Sequence, residues 1–117
     1  MKTQLTLDLE KTLYAYWQEQ GATVVEEVTM PDNRGIVDTL VRQKQQDATI
    51  WRCFELKVTK ADFHSSAKLS FIGHYNYFVL SQRLYTAVAS EIPHGIGVFT
   101  YHPFSKAAIA ASAVPVV

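Results

Sequence analysis

Apolar positions along the chain switch between two periods. Leu9, Leu13, Tyr16 and Trp17 recur at helical spacing, and Gly21 follows as a stop, which predicts a helix over residues 5–20. Residues 23–28 read as a short strand. Residues 30–35, Met-Pro-Asp-Asn-Arg-Gly, form a polar loop rich in turn formers. Two strands then follow, over residues 36–43 and 49–58. The polar segment 44–48 between them predicts a hairpin. In the second strand Ile50, Phe54, Leu56 and Val58 share one face. Trp51, Cys53, Glu55 and Lys57 share the other, because strand side chains alternate.

The pattern returns to helix after Val58. Thr59 can cap a helix running to about residue 72, with Asp62 reaching back as in a capping box and Gly73 as the stop. Residues 75–80 are a dense apolar strand. Ser81 can cap a further helix through residue 91, closed by Pro93 and Gly95, and residues 96–101 are another strand. Residues 102–117 are an apolar tail interrupted by Pro115, able to add an edge strand or to dock on a partner. The order helix, three strands, helix, strand, helix, strand predicts an α/β fold. Its sheet is mixed and flanked by helices.

Composition bounds this picture. A chain of 117 residues with 48% apolar residues is one globular domain, residues 1–117, with its core over about 5–101. No apolar run nears the roughly 20 residues of a membrane span. The N-terminus runs straight into the first amphipathic pattern without a signal segment. The expectation is a soluble, cytoplasmic protein. Cys53 is the only cysteine, which excludes an internal disulfide and a cysteine-rich zinc site; on a strand it reads as a small packed residue.

Net charge is zero, so the whole molecule exerts no general pull on nucleic acid. The distribution is less even. Residues 1–32 hold six acids against Lys2 and Lys11. Residues 57–83 hold Lys57, Lys60, Lys68 and Arg83 against Asp62 alone, with His64 and His74 nearby.

Three charged residues interrupt the apolar strands. Asp38 ends the run Ile36-Val37-Asp38, and Glu55 and Lys57 lie inside residues 50–58. Burying such groups is costly unless something uses them. Magnesium takes oxygen ligands and often one or two carboxylates. Asp38 and Glu55 on adjacent strands can supply these, the Leu56 backbone carbonyl can be a third ligand, and Lys57 can orient water or stabilise developing charge. The bland alternative is a partly exposed strand with an ordinary Glu/Lys pattern.

With these residues the chain resembles the PD-(D/E)XK nuclease superfamily, whose core is helix, three strands, helix, strand. Val37-Asp38 followed by Glu55-Leu56-Lys57 carries the match. Gly35-Ile36-Val37-Asp38 is also similar to the segment before the first catalytic Asp of archaeal-type Holliday-junction resolvases. The stretch from Glu55 through Thr59 to Asp62-Phe63 is closer to MmcB-like DNA-repair proteins and related phage proteins. The resemblance covers about residues 5–101. Val37 stands where the family usually has Pro.

This resemblance implies a restriction-endonuclease-like fold and a magnesium-dependent deoxyribonuclease, with manganese able to substitute and no small-molecule cofactor. Asp38, Glu55 and Lys57 would be catalytic. The family's additional acid on the first helix would be Glu10, with Glu26 as its rival. Arg34, Lys60, His64, Lys68 and Arg83 are the candidate DNA contacts, and Trp51, on the face of Glu55, is a candidate for base stacking. So small a domain offers little DNA-contacting surface, which points to a homodimer or a larger complex. The alternative is a non-catalytic DNA- or protein-binding module that keeps the fold.

Overall fold

The computed structural model describes residues 2–30, 35–65, 71–101 and 109–113. The first helix, α1 (Gln4–Glu19), starts where Thr3 accepts the Thr6 N–H on its hydroxyl oxygen at 3.2 Å. Three antiparallel strands follow: β1 (Thr23–Thr29), β2 (Ile36–Gln45) and β3 (Ala48–Lys57). A one-turn helix, α2 (Lys60–Phe63), leads towards β4 (Tyr75–Ser81), and α3 (Gln82–Val88) with a 3-10 turn (Ala89–Glu91) leads to β5 (Gly97–Tyr101). β3, β4 and β5 are parallel, and β6 (Ile109–Ala113) closes the far edge antiparallel to β5.

The result is a six-stranded mixed sheet in the order β1-β2-β3-β4-β5-β6. The α/β class and the mixed sheet flanked by helices are therefore as the pattern predicts, and part of the tail is an edge strand. No helix among the described residues is long and apolar enough to cross a membrane.

Strand alternation divides the core. On one face Leu9, Leu13 and Trp17 of α1 pack against Val41, Phe54, Leu56, Tyr77, Val79 and Phe99. Phe54 and Tyr77 stack there with ring centroids 4.6 Å apart. On the other face Leu84 and Val88 of α3 cover Phe78, Leu80 and Val98. Arg52 seals the α1 layer at the hairpin end. Its guanidinium lies over the rings of Trp17 and Tyr75 and donates to the Tyr77 hydroxyl at 2.6 Å.

Three elements differ from the sequence expectation. The hairpin is tighter: β2 and β3 pair through Gln45↔Ala48, leaving a two-residue turn with Gln46 at φ +56°. The helix expected over residues 59–72 is a single turn that closes at His64. Gly73 is not a helix stop but a point of close approach. A Cβ there would sit 2.8 Å from the Trp51 carbonyl oxygen and 3.1 Å from Cys53 Sγ. This lets His74 N–H donate to the Trp51 carbonyl at 2.8 Å while His74 Nδ1 accepts the Trp51 N–H at 3.0 Å. The helix after Ser81 tightens to 3-10 geometry at Ala89 instead of continuing as α-helix to residue 91.

Candidate active site

The site grows out of the place where the β2–β3 ladder stops. The last paired residues are Thr39 and Phe54. One step further, the Leu56 N–H points at the β2 edge and donates to the Asp38 carboxylate, Oδ2, at 2.8 Å. A residue in an extended strand turns its N–H and C=O to the same neighbour. The Leu56 carbonyl is therefore also directed to this edge, beside Asp38.

Leu40 pairs with Cys53, which fixes Leu40 and Asp38 on the face of β3 that carries Glu55 and Lys57. Asp38 is half-buried. Glu55 and Lys57 are 4% and 6% exposed, unusual for residues that carry charge. Lys57 Nζ lies 3.9 Å from Asp62 Oδ1, while Asp62 Oδ2 accepts the Val58 N–H at 3.1 Å. Asp62 N–H in turn donates to Thr59 Oγ1 at 3.0 Å. Asp62 thus reaches back one residue beyond the cap and fixes the chain just after Lys57. Sequence reading assigned Asp62 to capping; its second role, facing the Lys57 ammonium, depends on how sharply β3 turns into α2.

The candidate donors Asp38, Glu55 and the Leu56 carbonyl are all oxygen, the ligand type a hard divalent cation would require. A bound magnesium would lower the pKa of water and polarise a phosphoryl oxygen. Lys57 stands next to these donors with its ammonium almost enclosed, where its charge is weakly screened.

The two candidates for an additional acid share a different groove. Glu10 and Glu26 line an open pocket of about 360 Å³ between α1 and β1 with Leu7, Lys11 and Tyr14. Glu10 accepts from Lys2 Nζ at 2.7 Å, and Lys2 also pairs with Glu27. Burial, then hydrogen bonding to Glu10, pushes the Glu26 carboxyl above the usual carboxylate range. Among the described residues no three His, Cys, Asp or Glu side chains form a group able to hold a metal.

Of the candidate DNA contacts, Lys60 and Arg83 come together. They line one pocket of about 210 Å³ with Val58, Thr59, Ser81 and Leu84, at the ends of the parallel strands β3 and β4. His64 instead meets a carboxylate: its Nε2 is 2.6 Å from Glu91 Oε1. Arg34 and Lys68 lie outside the described residues. His74 pins the Phe71–His74 loop to β3, as described above. Cys53 is 1% exposed, and burial raises its thiol pKa, so it is a packed thiol and not an activated one.

No protein-family model matches this chain, and no curated protein or solved structure matches it either.

Proposed function

We propose that the protein is a metal-dependent deoxyribonuclease of the restriction-endonuclease-like kind, as its resemblance to PD-(D/E)XK nucleases implies. The observation that carries this reading is the Asp38–Leu56 junction. A carboxylate replaces a strand in the ladder and lies beside a backbone carbonyl, next to a buried Glu55 and a buried Lys57. Structural ion pairing alone gives no reason for Asp38 to hold the backbone of the residue between these two.

In this reading Asp38, Glu55 and the Leu56 carbonyl hold magnesium, or manganese in its place. Lys57 orients the attacking water and stabilises charge on the phosphate in the transition state. Lys60 and Arg83 hold a neighbouring backbone phosphate as point and fork donors respectively. A second copy of the chain extends the DNA-contacting surface.

The test is a cleavage panel of single-stranded, duplex and branched DNA with magnesium or manganese, run beside Asp38→Asn, Glu55→Gln and Lys57→Met. Cleavage that needs the metal and all three residues supports the reading. Metal-dependent cleavage surviving in all three folded variants overturns it. No cleavage by the wild type, with DNA still bound, favours the non-catalytic module.

A further inference from the structure

The candidate site occupies only the C-terminal end of one face of β3. Two residues back from Glu55, about 7 Å along the strand at the usual rise, Cys53 forms the floor of a second pocket. This pocket, about 230 Å³, is lined by Met30, Leu40, Trp51, Cys53, Ile72 and Gly73. Its lining carries no charged side chain. Trp51 and Ile72 are 39% and 44% exposed at its rim, although both are large apolar residues. The Trp51 ring has no aromatic or cationic partner among the described residues, whereas Trp17 contacts Tyr16, Phe54, Phe99 and Arg52.

The pocket is built rather than incidental. Gly73 lies so close to β3 that any side chain would collide with the Trp51 carbonyl, and His74 fixes the Trp51 backbone on both its N–H and its C=O. His74 thus fixes the Trp51 backbone, and the partly exposed ring stands on the face of β3 that carries Glu55 and Lys57, with the Lys60–Arg83 pocket past the C-terminal end of the strand.

We infer that this pocket receives an unpaired nucleobase, stacked on Trp51, which lies four residues and so about 13 Å along β3 from Glu55. The inference rests on the nuclease reading and narrows its substrate to DNA with unpaired nucleotides near the scissile bond: a single strand, a flap or a frayed end. An apolar aromatic pocket accepts the π-face of any base but not a base pair still stacked in duplex. Lys60 and Arg83 then face the backbone on the other side of the cleaved bond.

The experiment uses the full chain carrying Asp38→Asn, so that no strand is cut, with a fluorescein-labelled oligothymidylate and a blunt duplex of equal length, followed by anisotropy. The single strand should bind more tightly than the duplex. Adding Trp51→Ala should weaken single-strand binding about 5- to 150-fold, the range for one lost base–aromatic stack, and leave duplex binding unchanged. Trp51→Phe should retain most of the affinity, and an abasic nucleotide at the stacked position should reproduce the Trp51→Ala loss without any change to the protein. Equal binding of both DNAs, insensitive to Trp51 and to the abasic site, overturns the inference and leaves the nuclease reading standing. Failure to bind either DNA overturns both.

Discussion

Asp38 holds the backbone N–H of Leu56 at 2.8 Å, one residue past the last rung between β2 and β3. The contact gives Asp38 a structural task besides the catalytic one proposed for it, and two substitutions separate them. Asp38→Asn keeps a carbonyl oxygen to accept from Leu56 but loses the charge. It should fold with near-normal stability and lose metal-dependent cleavage. Asp38→Ala leaves a buried N–H unsatisfied and should cost about 1–3 kcal/mol as well. Urea melts of the two variants beside the wild type check this; equal stability of Asn and Ala would show that the bond carries no weight.

Asp62 makes the same kind of double contact with Lys57 and Val58. Asp62→Ala removes both and should destabilise by about 1 kcal/mol, the usual cost of a lost cap interaction. Asp62→Asn keeps an acceptor for the Val58 N–H and removes only the charge that faces Lys57. It should melt like the wild type yet cleave more slowly, because the ammonium loses the group that steers it. Cleavage at the wild-type rate by Asp62→Asn would reduce Asp62 to a cap.

Much of this was legible in the chain. Alternation from Ile50 to Val58 is enough to put Glu55 and Lys57 on one face, and the hairpin signal at residues 44–48 is enough to bring Asp38 alongside. The α1 stripe is as plain, since Leu9, Leu13 and Trp17 all reach the core. What the pattern hid depends on contacts distant in sequence. Gly73 reads as a helix terminator by local rules, and only its approach to Trp51 and Cys53 explains it. His64 carries no sign of its partner Glu91, because the two are brought together by the return of the chain through β4 and α3. Arg52 looks like a solvated strand residue but seals the aromatic layer through Trp17 and Tyr75.

Thr39 offers a stability test away from the chemistry. It is fully buried on the α1 face of β2, between Val37 and Val41, and its hydroxyl finds no hydrogen-bond partner. Thr39→Val keeps the branched shape and removes the unsatisfied group. The variant should be more stable by about 1 kcal/mol, with a higher Tm and unchanged cleavage. A lower Tm would mean that the hydroxyl is satisfied in solution.

Glu26 supplies the pH dependence. Burial and the neighbouring Glu10 raise its carboxyl pKa in the folded state, so the folded protein holds that proton more tightly than the unfolded chain does. The associated stability is fully present below the ordinary carboxylate pKa and is lost as pH climbs through the raised value. Above that value Glu26 is ionised beside Glu10, and folding bears the repulsion. Glu26→Gln cannot ionise, and its amide can donate to Glu10 at every pH. The variant and the wild type should therefore be equally stable near pH 4, and the variant should gain as pH rises towards 7. Because Glu26 is only partly desolvated and still open to water, the gain at neutral pH should be small, on the order of 0.5 kcal/mol, and should shrink in high salt. Thermal melts of both proteins across this range decide the matter: a variant that is less stable at pH 7 than the wild type would mean that ionised Glu26 is favourably paired and not crowded by Glu10.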